Sequence, residues 1–63
     1  MNEIEVFRNK VEQFIEAHGM TPTQFGKEYA RDPLFVFQLR RGREPRTGTR
    51  QKILHALEGE RAA

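Results

Sequence analysis

Apolar residues return every three or four positions near the start of the chain: Ile4, Phe7, Val11, Phe14 and Ile15. Glu5, Arg8, Glu12 and Glu16 fall between them. That period places the apolar set on one stripe and the charges on other faces, which predicts a surface helix over 3–18. "HGM" follows, and Gly19 can take the left-handed residue just past the helix end. In "MTPTQF" the next start is written out. Thr21 can cap, Pro22 fills the first helical position, and Gln24 stands three residues after the cap. Met20 and Phe25 have the spacing of a hydrophobic staple. The predicted second helix covers 22–30. Asp32-Pro33 repeats the device, since Asp32 can accept from a first-turn amide and Pro33 has none to waste. Pro33 also disfavours helical geometry at Asp32, so the chain must break there. A third helix is predicted over 33–41, stopped by Gly42. "REPRTGT" is a loop by composition. Thr49 can cap a last helix over 49–58 carrying Ile53, Leu54 and Leu57, with Gly59 ending it and "ERAA" frayed.

The pattern contains no strand and no internal repeat. The fold class is therefore all-α: a small four-helix domain whose middle pair, two short helices joined by a tight turn, has the element order of a helix-turn-helix. On the third helix, Phe35, Val36 and Leu39 share one side and can enter the core against Phe25 and Tyr29. Leu34, Phe37, Gln38 and Arg41 share another, at spacings of 3, 4 and 7. Gln38 can pair with adenine, and Arg41 with guanine or a phosphate. Leu34 and Phe37 can pack on thymine methyls, enter the core, or meet a second copy; their spacing leaves all three open.

Charge sharpens this picture. The net charge of +2 is unevenly spread. Residues 1–30 hold three basic and five acidic groups. Residues 31–52 hold seven basic groups, six of them arginine, against Asp32 and Glu44. Such a one-sided field favours a polyanionic partner, and the arginine fork suits phosphates and base edges. Arg40, Arg43 and Arg46 cluster after the third helix, where they can hold phosphates. Thr23, Gln24 and Lys27 lie on the second helix, whose first turn offers free amides to a phosphate. For Gln24 this competes with reciprocal capping.

Composition removes other classes. At 63 residues the chain forms one domain at most and has little room for a dry catalytic pocket, so no enzyme is expected. "RRGREPRTG" has neither the spacing nor the lysine of a phosphate-binding loop. There is no cysteine, and the two histidines are far apart in the chain, so neither a metal nor a cofactor is expected. No apolar run reaches membrane-span length, and "MNEIEVF" starts acidic and does not read as a signal peptide. A soluble cytoplasmic protein, with no membrane partner, is the expectation.

"TPTQFGKEYARDPLFVFQLRRGREP" resembles the helix-turn-helix of the lambda-repressor-like family, which includes phage repressors, Cro proteins and Xre-type regulators. The matching features are Thr23-Gln24 opening the second helix, Gly26 as its small residue, Tyr29 as its apolar position and Ala30 at the turn. Val36 and Leu39 serve as anchors of the third helix, followed by Gly42 and Pro45. Ala30 stands where a glycine is usual, and Leu34 and Phe37 where polar or small residues are common. The resemblance spans roughly Phe14 to Leu57. It implies a transcriptional regulator of a phage or bacterium, with double-stranded DNA as partner and a homodimer or another transcription protein beside it. It also implies base-reading positions at Pro33, Leu34, Phe37, Gln38 and Arg41, with Gln24 and Arg43 near phosphates. A second expectation is a protein-interaction module that docks a partner on the apolar face of the third helix. Non-specific nucleoid or RNA binding by the arginine patch is a third.

Overall fold

A computed structural model of the chain describes residues 2–62. Among them there are four helical segments and no strand: α1 (Glu3–His18), α2 (Pro22–Phe25, continued as a π turn over Gly26–Ala30), α3 (Phe35–Arg40) and α4 (Thr47–Ala62). The protein is a small all-α domain.

Each boundary has a local cause. The side chain of Asn2 accepts a hydrogen bond from the Glu5 amide and starts α1, with Glu3 and Glu5 set against the positive end of the helix. The α1 end is a Schellman cap. Gly19 is left-handed (φ 63°), its amide donates to the Glu16 carbonyl, and the Met20 amide donates to Ile15. The predicted capping box of α2 is present: Gln24 N–H donates to Thr21 Oγ1 at 3.1 Å, and Thr21 N–H to Gln24 Oε1 at 2.9 Å.

The second helix then widens. Over Gly26–Ala30 it becomes a π turn, and both Arg31 and Asp32 donate their amides to the Gly26 carbonyl. Arg31, one residue beyond Ala30, takes the left-handed conformation of the turn (φ 54°). The turn folds so closely over the helix that a Cβ on Gly26 would collide with the Asp32 carbonyl oxygen. This gives the small residue at position 26 a direct steric reason.

Three predicted boundaries are corrected. α3 starts at Phe35, not Pro33. The Leu34 amide bonds to the Asp32 side chain and the Phe35 amide to the Asp32 carbonyl, both at 3.0 Å, so residues 32–35 form a turn. The first α-type bond of α3 joins Gln38 N–H to the Leu34 carbonyl. α4 starts at Thr47, directly after Pro45 and Arg46, so Thr49 lies inside the helix. It also passes through Gly59 to Ala62 instead of stopping there. Its first bond reaches back from Arg50 N–H to the Arg46 carbonyl. Of the tail expected to fray, Ala63 lies outside the described residues.

The core joins all four helices. Phe7, Val11, Phe14 and Ile15 meet Phe25, Val36, Leu39, Ile53 and Leu57, all buried. Phe14, Phe25 and Tyr29 form an aromatic cluster with centroids 4.8–5.9 Å apart. Val36 and Leu39 are buried as expected. Phe35 is only half-buried and meets the edge of Phe7 on α1 at 6.4 Å. His18 stacks on Phe14, four residues earlier in α1.

Candidate nucleic-acid interface

With Val36 and Leu39 pinned in the core, the helical period of α3 turns Leu34, Phe37 and Arg41 outward. Leu34 is 56% exposed and Phe37 39%. Neither is a core residue, which closes one of the three roles their spacing left open. Phe37 is partly shielded, because the Arg40 guanidinium lies over its ring at 5.9 Å. Gln38 sits at the edge of this face and is half-buried.

The C-terminal end of α3 is a second Schellman cap. Gly42 is left-handed (φ 98°), a conformation a side chain would strain. Its amide donates to the Leu39 carbonyl, and the Arg43 amide to the Gln38 carbonyl, both at 3.1 Å. This motif brings the third residue from the helix end against the second residue past it. In α1 that pair is Ile15 and Met20, and both side chains belong to the apolar interior. In α3 the pair is Gln38 and Arg43, and Arg43 Nη1 donates to Gln38 Oε1 at 2.6 Å. Arg43 and Arg46 line one open cleft with Gln38 and Leu39, between the turn and α4.

The basic groups divide into two populations. Arg40 makes a bidentate pair with Glu12 of α1, at 2.7 and 2.8 Å. Its hydrogen bond is the main reason that the Glu12 carboxyl lies below its usual value; burial opposes it, and the charges of Arg40 and then Arg8 add to the lowering. The same bond raises the already high value of Arg40. Arg50 pairs with Glu3 at 3.0 Å. No described carboxylate pairs with Lys27, Arg41, Arg43 or Arg46, all of which are exposed.

The candidates from sequence therefore fall into three groups. Leu34 lies directly before α3, Phe37 and Gln38 on it, and Arg41, Arg43 and Arg46 after it. Thr23, Gln24 and Lys27 lie on the second helix, which packs on α3; Gln24 is already engaged by the capping box. Arg40 is turned toward α1 and held there. Sequence reasoning had no means of finding Glu12, which stands 28 positions from Arg40 and looks like any other polar-face residue of α1. The Gln38–Arg43 pair did leave a signal, since Gly42 marks the cap and the cap fixes which side chains meet.

No family model, curated protein or solved structure matches the chain. Among the described residues no group of acidic or histidine side chains has the arrangement of a metal site, and no helix is long and apolar enough to cross a membrane.

Proposed function

We propose that this chain is a DNA-binding transcriptional regulator of the lambda-repressor-like kind, with α3 in the major groove and arginines on the flanking phosphates. One observation carries the reading. The outward side of a helix anchored by Val36 and Leu39 carries half-buried Gln38 at its edge and Arg41 at its end, and Arg43 and Arg46 follow without carboxylate partners. α3 is about 9 Å long, enough to pass along about three base-pair steps. Its side chains can reach base edges while the cations beyond its end fix the register on the backbone. One such module contacts one half-site, so a specific operator calls for two copies about 34–36 Å apart or for a second DNA-bound protein.

The test is an amide-shift titration with random-sequence duplex DNA at two salt concentrations. Shifts centred on residues 34–46 at low salt, weakened at higher salt, are the expected result. Absence of binding at low salt, or binding indifferent to salt, sinks the reading.

The exposure of Leu34 and Phe37 favours one second reading, a protein-interaction module whose partner covers this apolar pair. It predicts shifts at Leu34 and Phe37 on titration with a transcription protein, and none with DNA.

A further inference from the structure

Gln38 and Arg43 are bound to each other twice, backbone to backbone through the cap and side chain to side chain at 2.6 Å. Guanidinium has donors and no acceptor, so the group it holds must be the amide oxygen of Gln38. That fixes the orientation of the amide. Its oxygen is held by a cation, and no described protein group holds its NH2 group, which keeps both donors for a ligand. We infer that Gln38 and Arg43 act as one donor-dominated unit that selects guanine over adenine in the base pair facing Gln38. This inference rests on the DNA-binding reading above.

The chemistry differs from that of an unpaired glutamine. A free glutamine reads adenine by accepting from N6–H2 while donating to N7. Here one lone pair of the oxygen is taken by Arg43, and an adenine amine reaching the other would bring its positive hydrogens beside the guanidinium. Guanine presents only acceptors on its major-groove edge, O6 and N7. Both are drawn to the Gln38 NH2 group, which the charge-assisted bond polarises, and to the remaining guanidinium N–H groups of Arg43. The cap makes the arrangement local. It needs Gly42 in its left-handed conformation and no residue from another helix.

The test is selection from a randomised duplex library at low salt by the wild type, Gln38→Ala and Arg43→Met. Far-ultraviolet circular dichroism on each variant checks folding, since the backbone bond from residue 43 to the Gln38 carbonyl survives both changes. The wild type is expected to enrich guanine at one position, and Gln38→Ala to lose that preference by roughly tenfold. Arg43→Met should bind more weakly and shift the same position from guanine toward adenine. Guanine preference retained in Arg43→Met, or adenine at the Gln38-dependent position in the wild type, overturns the inference. So does binding without base preference, which leaves the DNA-binding reading intact; no binding at all removes both. A check without DNA is the Gln38 side-chain amide resonance, which must move in Arg43→Met if the pair exists in solution.

Discussion

Arg31 is the only non-glycine residue with positive φ among the described residues. A Cβ in that conformation costs about 1–2 kcal/mol, and glycine avoids the cost while losing more backbone freedom on folding. Arg31→Gly should therefore raise stability by about 0.5–1 kcal/mol, seen as a melting temperature a few degrees higher by calorimetry. Gly26 is the opposite case. Its φ is ordinary, but its Cα faces the Asp32 carbonyl, which is backbone and cannot swing aside. Gly26→Ala is expected to cost about 3 kcal/mol, and a denaturant melt should find a domain this small largely unfolded. A Gly26→Ala variant as stable as the wild type would show that the turn yields more easily than this packing allows. The sequence gives no warning of the left-handed backbone at Arg31, and it marks Gly26 only as a small residue, through the family resemblance, without its neighbour. Both roles arise because the π turn shifts the chain reversal by one residue.

At the scale of elements, the notable case is α3. Six residues are far too few for a stable isolated helix, so α3 depends on what surrounds it. Val36 and Leu39 hold its inner side, the Schellman cap closes its end, and Glu12 holds Arg40 from α1. The ion pair is largely solvent-exposed, so its contribution to stability is below about 1 kcal/mol. Its pH dependence has a definite sign. The Glu12 carboxyl is depressed in the folded state, so the pair's contribution is complete above the ordinary value of 4.5 and is lost as pH falls through the depressed one. The stability difference between wild type and Glu12→Gln should be present at pH 7 and should vanish near the acid end of the titration. Denaturant midpoints across that range measure it, and a constant difference would exclude the pair as its source. The commitment of Arg40 to Glu12 also separates it from its neighbours on DNA. Arg40→Ala should leave the salt dependence of binding nearly unchanged, whereas Arg46→Ala should reduce the slope by about 0.9.

For the molecule as a whole, the net charge of +2 understates the field a duplex would meet. Two of the seven cations of the basic segment, Arg40 and Arg50, are paired with glutamates of α1; Arg41, Arg43 and Arg46 lie near α3 without carboxylate partners, with Lys27 of the second helix as a fourth. If these four reach phosphates, the logarithm of affinity should fall with the logarithm of salt at a slope of about −3.6. Fluorescence anisotropy over a salt series reads this directly. A slope of about −5.4 would mean that two further cations join, as when Arg40 and Arg50 leave their glutamates on binding.

Sequence alone determined the elements that local chemistry can write: the amphipathic stripe of α1, the Thr21–Gln24 box, the stop at Gly42, and the inward side of α3 at Val36 and Leu39. It also located the basic segment. These features depend on residues within about one or two turns of one another, where spacing and stereochemistry suffice. Tertiary structure decided that Arg40 belongs to Glu12 and Arg50 to Glu3, that Phe35 packs on Phe7, and that Leu34 and Phe37 stay outside the core. Each of these is a meeting, or a failure to meet, between segments far apart in the chain. No periodicity encodes such meetings, because they follow from how four helices share one small apolar interior.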